Sequence, residues 1–161
     1  MFYLSNLCIF YLSKISISYN EKINKFILIK NFNSLKKNST LKMSDKMKTF
    51  TIAIGSGQYT KERPYTMLRF AYTALLEGHK VNIFLVEDGI WVGKKNQDPT
   101  TYDNVGKWLK DVIEEGAKVL SCGVCMKARG MSEEELIEGI QKTTMNGFLE
   151  MCEEADNVIF S

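Results

Sequence analysis

Histidine, proline and cysteine are scarce in this 161-residue chain, which has one His, two Pro and four Cys. A single imidazole excludes zinc sites built from several histidines. Four cysteines are too few for a disulfide scaffold. No run of about 18 uncharged apolar residues occurs, so no segment reads as a membrane-spanning helix. What remains is 45% hydrophobic and 25% charged, a composition neither disordered nor fibrous, and the length suits one globular domain.

Scarcity is also uneven along the chain. Met1 to Met47 holds no Gly, Ala or Pro and carries a net +6, whereas Lys48 to Ser161 holds all 11 Gly and carries −4. The overall +2 therefore hides a basic leader and a mildly acidic domain, and the acidic part argues against binding nucleic acid through phosphate neutralisation. Of the first 47 residues, 27 are Phe, Tyr, Ile, Asn or Lys, the residues with codons made wholly from A and T. The first reading of residues 1–47 is a start codon placed too early, with translation beginning at Met43 or Met47. A targeting segment and a basic membrane-surface arm are the alternatives. A signal peptide fits poorly, because no positive region precedes Met1–Leu12 and no small-residue cleavage site follows it.

From Lys48 the pattern alternates. Phe50–Ile54 reads as a buried strand ending in Gly55-Ser56-Gly57. Pro64–Glu77 has Met67, Leu68, Ala71, Leu75 and Leu76 at helical spacing, with Pro64 suited to a first turn and Gly78 to a stop. Lys80–Val86 is a second strand, rich in branched and aromatic residues. Glu87–Asp103 is polar and reads as a long loop. Asn104–Glu115 is a second helix with Val105, Trp108, Leu109, Val112 and Ile113 on one face. Lys118–Ser121 is a third strand running into the segment Cys122–Gly130. Ser132 with Glu135 is a capping-box signature for a short helix ending near Gly139. Gln141–Thr143 reads as a short fourth strand, Asn146–Ala155 as a helix and Asn157–Phe160 as a fifth strand. The expected fold is a single-domain α/β structure over residues 48–161: a doubly wound parallel sheet of about five strands with helices on both faces.

In such a sheet, ligands meet the carboxyl ends of the strands, where loops and helix starts converge. Gly55–Arg63, Glu87–Asp103 and Cys122–Gly130 occupy that edge. Cys122 follows directly on a buried strand, which holds its backbone and sends its side chain to the rim. Lys127, Arg129 and a helix start at Ser132 lie nearby, and positive charge and helix-end amides favour a thiolate. That is the species that attacks sulfur electrophiles or carries a persulfide. The bland alternative is that each Cys is a small buried hydrophobe. Zinc is not expected, since only Cys152 and His79 are left to complete four ligands. A thioredoxin-type dithiol lacks its usual aromatic and proline neighbours here. Cys152 reads as core and Cys8 belongs to the leader. Gly55-Ser56-Gly57 lacks the lysine of a P-loop and the third Gly of a dinucleotide fingerprint, so it reads as a tight turn. His79 reads as structural, Glu133-Glu134-Glu135 as an acidic first turn, and Tyr59, Tyr65 and Trp91 as packing residues with a pocket lining as the alternative.

Three features carry a family resemblance: the opening strand with its glycine turn, Gly78-His79-Lys80-Val81 into a strand ending Glu87-Asp88-Gly89, and Cys122-Gly123-Val124-Cys125-Met126-Lys127-Ala128-Arg129-Gly130. Residues 49–161 resemble the DsrE/DsrF-like proteins. The resemblance implies a small cytoplasmic α/β protein, commonly trimeric or hexameric, in a family some of whose members pass sulfur as a cysteine persulfide. The family's sulfur-carrying cysteine lies seven residues before the Arg of an Arg-Gly pair, which Cys122 and Arg129 match. Cys125 departs from the TusD-like pattern and resembles members with two cysteines here.

The leading expectation is a persulfide carrier of sulfurtransferase type, with Cys122 accepting sulfane sulfur, Lys127 and Arg129 favouring its anion, and Cys125 resolving or carrying as a second thiol. No cofactor or metal is expected. The expected partners are further copies of the chain and proteins that donate and accept sulfur, with neither nucleic acid nor membrane among them. A dithiol–disulfide oxidoreductase using Cys122 and Cys125 is the second reading. A non-catalytic oligomeric binding module with structural cysteines is the third.

Overall fold

The computed structural model describes residues 46–161, which fall in the second of the two units into which the chain divides, Asp45–Ser161. The leader reading of residues 1–47, Cys8 included, lies outside the described residues except for its last two positions. Strand β1 (Thr49–Ile54) leads to helix α1 (Arg63–Leu76), strand β2 (Lys80–Leu85), helix α2 (Val105–Glu114), strand β3 (Lys118–Cys122), helix α3 (Gly123–Ala128), strand β4 (Ile140–Thr143), helix α4 (Met145–Glu153) and strand β5 (Asn157–Phe160). Local chemistry explains the joints. Pro64 sits in the first turn of α1, where its missing N–H costs nothing, and Gly78 follows the helix at φ +83°, a conformation open to glycine. The Asn104 side chain accepts from the Lys107 N–H at 2.9 Å to start α2, and Thr144 accepts from Asn146 at 3.3 Å to start α4.

The five strands are all parallel, in the order β4-β3-β2-β1-β5. The chain winds outward from β1 to β4 and then returns across the sheet through α4 to β5, beside β1. All carboxyl ends therefore share one edge. One face carries α1 and α2, which bury Ile52, Ile54, Leu68, Leu85, Leu109 and Val112 against the sheet. On the other face α4 covers Phe84, Val86, Leu120, Cys122 and Met151, with Phe148 stacked on Phe84 at 4.5 Å between ring centres. The doubly wound α/β expectation holds, with helices on both faces.

Four sequence readings change or sharpen. Cys122–Gly130, read only as the segment that follows the third strand, opens the six-residue helix α3. The Ser132–Glu135 capping box forms, with the Glu135 carboxylate accepting from the Ser132 N–H at 2.9 Å, yet it starts only one 3₁₀ turn, Glu133–Glu135, because the chain becomes extended at Leu136. Glu87–Asp103 begins with a 3₁₀ segment, Glu87–Gly93, whose Ile90 and Val92 are fully buried. In α4 the buried residue is Met151, and Cys152, read as core, is only half-buried. A helix of nine residues lying across a sheet seals one line of side chains, and Met151 occupies it.

Candidate functional site

Cys122 ends β3 and is the N-cap of α3, its backbone extended while the next residues turn helical. Its Sγ accepts from the Cys125 N–H at 3.4 Å. A sulfur thus does the capping that a Ser or Asp oxygen performs at most helix starts. Cys122 is only 4% exposed, among Phe84, Val86, Leu120 and Met151. Three residues on, Cys125 is half-buried and its Sγ accepts from the Glu87 N–H at 3.3 Å. The two thiols are neighbours on one helical turn, tied by the Cys125 N–H to Cys122 Sγ, and both are free.

The segment after β2 completes the site. Glu87 adopts φ +53°, an uncommon conformation for a residue with a side chain, and this aims its N–H at the sulfur. The segment cannot slide, because Gly89 is pressed onto β1. A Cβ there would lie 1.8 Å from the Ile54 carbonyl oxygen, and the Gly89 N–H bonds to the Val86 and Gly55 carbonyls at 2.8 and 3.1 Å. The next residue back, Asp88, accepts from Arg129 Nε at 2.9 Å, while Arg129 Nη1 reaches the Cys125 carbonyl oxygen at 3.4 Å. Burial raises the Cys125 thiol above its ordinary value. The hydrogen bond with Cys122 adds to this, while the Glu87 amide and Arg129 pull the other way.

The sequence-level site residues therefore divide. Cys122, Cys125 and Arg129 come together at the ends of β2 and β3. Lys127 stands on the exposed side of α3, lining a groove of about 680 Å³ with Val124, Met131, Ser132 and Lys142. The helix start expected at Ser132 lies instead at Cys122, so the amide that meets a thiol there is the Cys125 N–H. Glu87 and Asp88 were missed as site residues. The only signal was their place before a glycine at a strand end, and the role of a backbone N–H leaves no mark on side-chain chemistry.

Other candidates resolve into packing. His79 Nδ1 accepts from the Lys48 N–H at 3.3 Å beside the Phe50 ring. The glycine turn backs the site, with the Gly55 N–H bonded to the Ser161 carbonyl at 2.8 Å. Glu133 and Glu135 pair with Lys142 and Lys94. Tyr65 packs edge-on against Trp108, and Trp91 lies under Lys94. Tyr59 stacks on Tyr102 and donates to Gln97 Oε1 at 2.8 Å, at the mouth of a small cavity of about 250 Å³ that Tyr65 also lines. Among the described residues, no group of three or more His, Cys, Asp or Glu is placed to hold a metal ion, and no helix is long and apolar enough to cross a membrane.

A model of the DsrE/DsrF-like family matches residues 48–160. An uncharacterized protein of Methanopyrus kandleri is 51% identical over 110 residues, covering 68% of this chain and 91% of that protein. An uncharacterized protein of Methanocaldococcus jannaschii is 52% identical over 110 residues, covering 68% and 96%. YchN of Escherichia coli is 27% identical over 116 residues, covering 70% and 98%. The crystal structure of YchN superposes with a TM-score of 0.66 at 24% identity, over 72% of this chain and all of YchN.

Proposed function

Because the chain belongs to the DsrE/DsrF-like family, a membership consistent with sulfur relay in general, we propose that it carries sulfane sulfur as a cysteine persulfide, in the manner of a sulfurtransferase. The observation that carries this reading is the pair of neighbouring sulfurs at the start of α3, each accepting from a backbone N–H, Cys122 from that of Cys125 and Cys125 from that of Glu87, with a guanidinium alongside. Cys125, the more open of the two, meets the donor. It gives its proton to solvent, and its thiolate attacks the outer sulfur of a donor persulfide. A sulfur–sulfur bond forms at Cys125, the donor's bond breaks, and the donor leaves as a thiolate. An acceptor thiolate takes the outer sulfur by the same exchange, which returns Cys125 to its thiolate. Cys122 is the resolving thiol. If it attacks the inner sulfur, a Cys122–Cys125 disulfide forms and the outer sulfur leaves as hydrosulfide, so the two cysteines are oxidised and the sulfane sulfur is reduced. The reading places the protein in the reducing cytoplasm, where both thiols persist.

Incubation with a persulfide donor should add about 32 Da, one sulfur atom, to the intact mass. Cys125→Ser should abolish the gain, whereas Cys122→Ser should keep it. No gain with any donor overturns the reading. A dithiol–disulfide exchange uses the same two atoms and is favoured by their lying on one helical turn, joined through the Cys125 N–H. Its mark would be a Cys122–Cys125 couple that reduces a test disulfide without any gain of sulfur.

The protein is proposed to act as a homo-oligomer, a trimer or hexamer. Thr51 faces α4, since its hydroxyl donates to the Met151 carbonyl, and the register puts Val158 beside Thr51 and Phe160 beside Ala53. Val158 and Phe160 thus share the α4 side with the exposed Met145 and Leu149. A second copy would remove this apolar surface from water.

A further inference from the structure

Arg129 stands beside the reactive sulfur without touching it. Its Nε is held by Asp88 Oδ1 at 2.9 Å and its Nη1 by the Cys125 carbonyl oxygen at 3.4 Å, so the guanidinium is anchored to the backbone of the residue whose side chain it would serve. The carboxylate is itself fixed, because Asp88 lies between Glu87, tied to Cys125 Sγ, and Gly89, pressed onto β1. The titratable and charged groups around Cys125 are Cys122 at the end of β3, Glu87 and Asp88 beyond β2, and Arg129 beyond α3; the remaining surroundings are apolar, from Phe148 of α4 to Met126 and Ile90. The Asp88 side chain is 65% exposed and that of Arg129 is 30% exposed. Water can therefore rehydrate the carboxylate when the guanidinium leaves it, and exchange between the two anions is inexpensive.

We propose that Asp88 is a positioning residue that holds the Arg129 guanidinium beside Cys125 and releases it to the persulfide anion formed there, so that the loaded sulfur receives the cation more fully than the empty thiol does. This rests on the persulfide reading and adds regulation to it. Once Cys125 carries a second sulfur, the terminal S–H loses its proton to water and the charge moves outward by one bond, toward Arg129. No electron is transferred in this step. A cation already committed to the resting thiol would make it reactive toward any electrophile. Held by Asp88, it acts weakly on the empty thiol and strongly once sulfur has arrived.

The test is the rate at which a neutral alkylator labels Cys125, read by peptide mass between about pH 6 and pH 10, in the full chain and three variants. Asp88→Asn frees the guanidinium and removes a carboxylate, so labelling of the empty protein at pH 7 should speed up about threefold. Arg129→Gln should slow it about threefold and lower the persulfide held at equilibrium. Asp88→Glu, which keeps the charge, should follow the wild-type profile. General loosening of the site would move Asp88→Asn and Arg129→Gln in the same direction, and that result overturns the proposal, as does an unchanged profile in Asp88→Asn. The mass gain reports the persulfide reading separately: a wild-type protein that never gains sulfur sinks that reading, whereas a wild-type gain with no Asp88 effect on alkylation sinks only this inference.

Discussion

The two faces of the sheet are built to different depths. Under α1 and α2, aliphatic side chains from three strands and two helices interlock with essentially no solvent exposure. Across the sheet, one helix of nine residues does the covering, and it does so with a stack of two phenyl rings, a methionine and a buried polar bridge. The first face supplies the burial that stabilises the domain. The second leaves β5 partly bare and ends at the cysteines. Stability and chemistry are thus assigned to opposite sides, and substitutions should separate them.

The largest effect is expected on the sealed face. Leu109→Ala removes a fully buried side chain between α2 and the sheet and should cost about 2–5 kcal/mol in urea unfolding while the cysteine labelling profile is unchanged below the transition. A change in labelling without a change in stability would show that the faces are not independent. On the thin face, Thr51→Val keeps the shape but leaves the Met151 carbonyl and the Asn82 amide without their partner. It should cost about 1–3 kcal/mol and loosen α4, seen as faster amide exchange there than in α1. Phe160→Asp sits at an exposed strand edge and should change protomer stability by no more than about 0.5 kcal/mol. In light scattering it should nevertheless reduce the assembly to smaller species. An unchanged mass would remove the α4 side as the contact between copies.

The smallest effects are those of pH. Cys125 is held above its ordinary value of 9.0 by burial first and by Cys122 second. Its contribution to stability is therefore complete below that value and is lost as pH rises through it, a slope that Cys125→Ser should flatten. Glu135 is held below its ordinary 4.5 by the Ser132 N–H first and by Lys94 second. That support is present above pH 4.5 and is lost as pH falls below it, so amide exchange around Leu136 should quicken on acidification in the wild type and be nearly level in Glu135→Gln.

Much of this was legible in order along the chain. Branched and aromatic runs of four to seven residues marked β1, β2 and β3, and glycines marked the ends of α1 and α2, because those signals are local. The fate of Cys122–Gly130 was not legible. Six residues without a capping Ser or Asp do not look like a helix, since it takes a thiol held by a buried strand to serve as the cap. Nor was the order of exposure of the two sulfurs legible. A C-x-x-C spacing is symmetric in sequence, whereas the first sulfur points into the sheet face under α4 and the second toward the Glu87 amide.

The amino-acid order by itself determined the alternation of strands and helices, the parallel sheet and the presence of two thiols at a strand end, because backbone propensity, turn chemistry and side-chain period act over a few neighbours. Tertiary structure alone decided which thiol is reachable, that a backbone N–H 38 residues upstream meets it, and that a carboxylate holds the cation beside that cysteine. Those depend on β2 and β3 lying side by side with their carboxyl ends level, and that is set by burial of the whole sheet rather than by any segment within it.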